Sequence, residues 1–228
     1  MNLKDLFTSF KPGSDSISLA EKFRSAAAAM FSVLLLGEAL HFLPDGGHPL
    51  ILFASMAAAS VLLYAVPHSP MAQPWPLLVG NLLSGAVGWL CSVLIPDPVI
   101  AAACAVGLSI FVMHLTHSLT PPGAATAMIM VLNAAQIQHY GWLWAGCAVL
   151  ANTVFALLLA FVINNLIHAG RYPVYRHHLP PPRTGAPADE LATEDVEWAL
   201  GKMEGVTDVS KEDLLEIYRL ATEHARGK

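Results

Sequence analysis

Glu38 and His41 stand three residues apart, as do His114 and His117, so on a helix each pair lies on one face. Carboxylate and imidazole at this spacing suit metal ligation or a proton relay, since imidazole titrates near neutral pH. Metal sites of the helical-bundle type need several further carboxylates. Between Ser25 and Gly170 the chain has only Glu38, Asp45 and Asp97. The expectation is therefore no metal and no resident cofactor, with Glu38, His41, His114 and His117 as candidates for a proton relay or gate, because ionisable groups inside a bilayer are costly to keep.

A second set of residues offers neutral donors. Thr120-Pro121-Pro122-Gly123-Ala124-Ala125-Thr126 interrupts an apolar stretch. Proline suits a first helical turn, and the small residues after it let another backbone approach closely. A helix that begins there presents unpaired amide groups and about half a positive charge, enough to attract a small anion without Lys or Arg. Thr120, Thr126 and Ser55 add hydroxyls, and Asn81, Asn133 and Asn152 add carboxamides. Such side chains also commonly serve only to join neighbouring helices.

The elements that must hold these residues follow from composition. Of 228 residues, 55% are hydrophobic and 13% charged, and all 12 Lys and Arg lie before Ser25 or after Gly170. That distribution belongs to a membrane protein. Apolar runs at 25–43, 48–66, 77–95, 99–117, 121–136 and 141–168 predict six membrane segments in an all-α polytopic bundle, the fifth being short. Basic flanks on both sides predict cytoplasmic termini, and Trp75, Tyr140, Trp142 and Tyr172 fall where an interfacial aromatic belt would put them. No cleaved secretory signal is expected, and the setting expected is a cell inner membrane. The predicted organisation is a cytosolic segment over 1–24, a transmembrane domain over 25–168, a linker over 169–187 and a small helical cytosolic tail over 188–228.

Net charge of −5 without a basic stripe excludes nucleic acid as a partner. Cys91, Cys104 and Cys147 are scattered through apolar runs and read as small buried hydrophobes. There is no glycine elbow, Walker loop or dinucleotide fingerprint, so no enzyme is expected. Gly80, Ser84 and Gly88, four residues apart, form a small-residue face suited either to a homodimer or to packing within one chain.

Comparing the halves at an offset of 70 to 73 residues sets Pro49 against Pro121-Pro122, and the small residues 53–58 against 123–128. Each unit holds three segments. An odd number reverses the second copy, so an inverted 3+3 repeat is expected, with a short or broken helix as the second segment of each unit.

Two segments resemble the HPP family of integral membrane proteins. His68-Ser69-Pro70-Met71-Ala72-Gln73-Pro74 is similar to that family's Glu-Ser-Pro-Leu-Ala-Gln-Pro loop, and Leu119-Thr120-Pro121-Pro122-Gly123-Ala124-Ala125-Thr126-Ala127 to its Leu-His-Pro-Pro-Ala-Gly-Ala-Thr-Ala stretch. Thr120 replaces the eponymous His, Gly123-Ala124 inverts the Ala-Gly order, and His68 replaces the loop Glu. Ser69, Pro70 and Gln73 become loop-motif residues by position. The resemblance implies a transporter or channel for a small monovalent inorganic anion, nitrite foremost, held in the lipid bilayer. The expected substrate-binding set is Ser55, Asn81, Thr120, Pro121, Pro122, Gly123, Ala124, Ala125, Thr126 and Asn152. Two other readings stay open: an intramembrane metal-handling protein or enzyme built on Glu38, His41, His114 and His117, and a membrane-anchored sensor acting through its tail.

Overall fold

The computed structural model describes residues 18–41, 51–167, 172–173 and 218, and those residues are helical with short connections. The helices are α1 (Leu19–His41), α2 (Ile51–Ser60), α3 (Pro74–Leu94), α4 (Pro98–Leu115), α5 (Pro121–Leu132), α6 (Ala134–Tyr140) and α7 (Trp142–Ile167). Their starts follow local chemistry. Ser18 and Glu21 are spaced as a capping box, and the Glu21 amide donates to Ser18 Oγ at 3.2 Å. Asp97 accepts the amides of Val99 and Ile100 at 2.9 Å, ahead of Pro98 in the first turn. Proline also opens α3 and α5, where a missing N–H costs nothing.

Among the described residues three helices, Pro74–Leu94, Pro98–Leu115 and Trp142–Leu166, are long and apolar enough to cross a membrane, while Ser55–Ala65 and Pro121–Leu132 are apolar but shorter. The outer faces of the bundle carry Phe31, Leu34, Leu94, Phe111, Leu143 and Leu158, all exposed. In water this would be an aggregation hazard; in a bilayer these faces meet acyl chains.

Beyond Ser60, α2 continues as a π-helical stretch, Val61–Ala65. The widened turn carries Tyr64 inward, where its hydroxyl meets Ser32 Oγ of α1 at 2.8 Å. The Leu63 carbonyl accepts from Asn164 Nδ2 of α7 at 3.0 Å. Both contacts supply partners that lipid cannot. Asn133 ends α5, and Gly141, at φ 92, turns the chain from α6 into α7 in a conformation that disfavours a side chain.

The small-residue face of α3 packs inside the chain rather than on a second copy. α3 and α5 run parallel, and a β-carbon at Gly80 would lie 2.6 Å from the Ser118 carbonyl and 2.8 Å from Thr120 Cγ2. One at Gly88 would overlap the backbone of Ala127. A β-carbon on Gly123 would in turn lie 2.9 Å from Ser84 Oγ and 2.7 Å from Met113 Sδ. These contacts are the close approach that small residues allow, and they place the first turns of α5 against the middle of α3.

Two other expectations change. Tyr172 is 3% exposed and so does not belong to an aromatic belt, whereas Trp75 and Trp142 are exposed. Of the cysteines, Cys91 is buried but Cys147 is exposed on the bundle surface. The predicted N-terminal segment up to residue 17 and the linker and tail, apart from Tyr172, Pro173 and helical Tyr218, lie outside the described residues.

Gly88→Ala should lower the thermal midpoint of the solubilised protein, since overpacking costs about 1–3 kcal/mol. At Gly146 an added β-carbon meets nothing within 4 Å. Gly146→Ala should therefore raise the midpoint by the helix preference alone, about 0.5–1 kcal/mol. A thermal melt of the two variants that ranks them the other way would refute the α3–α5 approach.

Candidate functional site

The close packing of α3 on α5 brings three of the expected residues to one point with α2. Ser55 Oγ of α2 lies 2.7 Å from Thr126 Oγ1 of α5, and Thr126 Oγ1 donates to Asn81 Oδ1 of α3 at 2.9 Å or to the Pro122 carbonyl at 2.9 Å. Ser55 Oγ also reaches the Pro122 carbonyl at 3.3 Å and Asn81 Oδ1 at 3.5 Å. All three side chains are buried. The Asn81 carboxamide oxygen accepts from the hydroxyls, while its nitrogen makes no hydrogen bond among the described residues and keeps two donors.

Burial of this cluster has a cost and a use. Unpaired hydroxyls in an apolar interior are unfavourable by a few kcal/mol, so Ser55 and Thr126 turn to each other and to Pro122. Because they are already dehydrated, a ligand that takes their protons need not strip water from them. The amino-terminal turn of α5 adds positive potential nearby. Neutral donors and a helix terminus can hold a weakly hydrated anion; without a fixed cation the hold is weak enough to release it.

The rest of the α5 start frames the cluster. Thr120, the N-cap residue, is buried and donates to the Met71 carbonyl at 3.2 Å. Pro122 and Gly123 are buried, Ala124 and Ala125 half-buried, and Pro121 exposed. Asn152 of α7 is buried with Oδ1 unpaired among the described residues, as is Ser84 Oγ on α3, which the sequence reading did not count as a site residue. The loop-motif residues build the turn before α3. Ser69 Oγ accepts from the Met71 amide at 3.3 Å, and Gln73 Nε2 donates to the carbonyls of Pro67 and Ser69, both at 3.1 Å. Pro70 starts the short 3-10 turn Pro70–Ala72 and is exposed.

The ionisable residues stand elsewhere. Glu38 and His114 lie on exposed faces of α1 and α4. His117 falls past the end of α4, with φ 52, so His114 and His117 do not share a helix face as their spacing suggested. The side chain of His41 lies outside the described residues. Among the described residues no three His, Cys, Asp or Glu side chains gather at one place.

An apolar cavity of about 190 Å³ lies one to two turns further along α3, between Leu82, Trp89, Met130, Trp142, Gly146 and Val149. Its walls offer an anion almost no hydrogen bonds. The hydroxyl cluster, not the cavity, is the candidate site.

A bundle of apolar helices with buried neutral donors defines an integral, multi-pass membrane protein. The family model described as "HPP, transmembrane region" matches residues 14–173, and the chain belongs to that family. Two proteins of Dictyostelium discoideum, each named as a transmembrane protein, are similar to it. One is 39% identical over 129 residues, 55% of this chain and 45% of the relative; the other is 37% identical over 130 residues, 55% and 42%. The chain thus spans less than half the length of these curated relatives. No solved structure matches it.

If Ser55 and Thr126 are bonded as described, Ser55→Ala and Thr126→Ala should not add. A double-mutant cycle on unfolding free energy should return a coupling of about 0.6–2 kcal/mol. Strict additivity would mean that the two hydroxyls do not meet.

Proposed function

We propose that this chain passes a small monovalent anion across the membrane, with nitrite the leading candidate, and that the anion binds where α2 meets α5. The observation that carries this reading is the convergence of Ser55, Asn81 and Thr126 beside the start of α5, buried and far in sequence from every Lys and Arg. An arriving anion accepts hydrogen bonds from the hydroxyls of Ser55 and Thr126 and from one or both N–H groups of Asn81. The exchange rotates two hydroxyls and desolvates no charge of the protein. Selectivity against divalent anions follows, because half a helix dipole and neutral donors cannot repay the dehydration of a double charge.

The proposed architecture is six crossings in an inverted 3+3 repeat with both termini cytoplasmic. Its support is positional. Ser55 and Thr126 are 71 residues apart, and the same step carries Asn81 onto Asn152. It also lays Pro74–Leu94 over most of Trp142–Ile167, and Ile51–Ser60 over Pro121–Leu132. The hydroxyl pair then lies on the pseudo-twofold axis, which is where repeat-built transporters place their substrate. Proton coupling through Glu38, His114 or His117 has no support from the cluster's geometry, since these residues face outward.

In proteoliposomes, nitrite flux should saturate and exceed that of protein-free vesicles, which set the baseline because nitrous acid crosses lipid unaided. Thr126→Val should cut the protein-dependent flux about tenfold or more, whereas Thr126→Ser, which keeps the hydroxyl, should retain most of it. Asn81→Asp, which exchanges donors for an acidic group, should abolish flux at neutral pH. Wild-type flux in both Thr126→Val and Asn81→Asp would remove the site, and flux equal to empty vesicles for nitrite, nitrate, formate and chloride would remove the function.

A further inference from the structure

Tyr172 follows the last helix and reads from sequence as an interfacial aromatic, yet it is among the most deeply buried large side chains. Its hydroxyl donates to the Ala72 carbonyl at 2.8 Å, across 100 residues of sequence. Its backbone is held from α7: Asn165 Nδ2 donates to the Tyr172 carbonyl at 2.8 Å, and the Tyr172 amide donates to Asn165 Oδ1 at 3.4 Å. Burial raises the phenol above its ordinary range, and the nearby Tyr64 phenol adds to the rise.

The carbonyl next to that of Ala72 is the one that Thr120 uses. Thr120 Oγ1 donates to the Met71 carbonyl, and Thr120 is the N-cap of α5. Two residues on, the Pro122 carbonyl accepts from Thr126 and Ser55. The 3-10 turn Pro70–Ala72 is therefore gripped on successive carbonyls, by Tyr172 on one side and by the start of α5 on the other. Ser69 and Gln73 brace the turn from within.

We propose that Tyr172 is a positioning residue, whose hydroxyl, acting through the Pro70–Ala72 turn and Thr120, sets the place of the first turn of α5 and hence of the Ser55–Asn81–Thr126 cluster. What the positioned site does rests on the anion-passage reading; the mechanical link does not. The residue that follows α7 is in this way tied to the Ser55–Asn81–Thr126 cluster.

Tyr172→Phe removes one hydroxyl and keeps the ring and the Asn165 contacts. Hydrogen exchange of the whole chain in lipid nanodiscs should then speed up at residues 69–73 and 123–126 by about two- to tenfold, the factor expected for one net hydrogen bond, with the middle of α7 unchanged. Asn165→Ala, which frees the Tyr172 backbone instead, should reproduce the pattern. In proteoliposomes Tyr172→Phe should raise the KM for nitrite by about two- to tenfold at nearly constant maximal flux per folded protein. A purely structural tyrosine would lower the folded fraction and leave KM alone, and that result, or unaltered exchange at 69–73 and 123–126 in both variants, would overturn the proposal. Should the wild-type protein carry no anion, exchange alone decides the link, separately from the failure of the anion reading.

Discussion

The structure depends on the closeness of α3 and α5. Gly80, Ser84 and Gly88 on α3 face Gly123 and Ala127 of α5 and Ser118 and Thr120 just before it, and neither Gly80 nor Gly88 leaves room for a β-carbon. In a bilayer no hydrophobic gain draws helices together, since lipid is as apolar as Leu; contact area and hydrogen bonds must do it. Small residues supply the area. They also bring backbones and short polar side chains into a water-free space, which is how Asn81 on α3 reaches Thr126 on α5.

The polar groups in that space are arranged by satisfaction as much as by function. The two hydroxyls share their protons with each other, the Asn81 carboxamide oxygen and the Pro122 carbonyl, so the hydroxyls are satisfied without water or a charged residue, while the Asn81 nitrogen makes no hydrogen bond among the described residues. A Lys or Arg in the same place would hold an anion more firmly but would need a partner of its own and would release the anion slowly. For the proposed anion site, neutral donors beside a helix terminus are the weaker and more reversible arrangement.

The turn before α3 matters for the same reason. Backbone carbonyls at Pro67, Met71 and Ala72 would be orphans at the edge of the bundle, and side chains from Gln73, Thr120 and Tyr172 meet all three. Residues far apart in sequence are joined because each needs a partner that the other has. That Thr120 stands where the family has a histidine is compatible with this role, since one hydroxyl suffices to reach the Met71 carbonyl.

Much was legible in the sequence because membrane chemistry is local. Apolar runs, proline starts and the absence of basic residues between Ser25 and Gly170 mark an all-α membrane domain, and the two motif-bearing segments identify its family. Ser55, Asn81 and Thr126 stood out as short polar side chains in apolar surroundings, and the offset between the two halves already set Ser55 against the stretch that holds Thr126, but no spacing gave the contacts among the three. Only the tertiary structure decided that they meet, that the Gly80–Gly88 face is spent within the chain, that Glu38, His114 and His117 face outward, and that Tyr172 is buried against Ala72. The physical reason is that burial along a single apolar helix has no polar side to mark its orientation. Which face turns inward is set by where a neighbouring backbone can approach and by which distant carbonyl needs a donor.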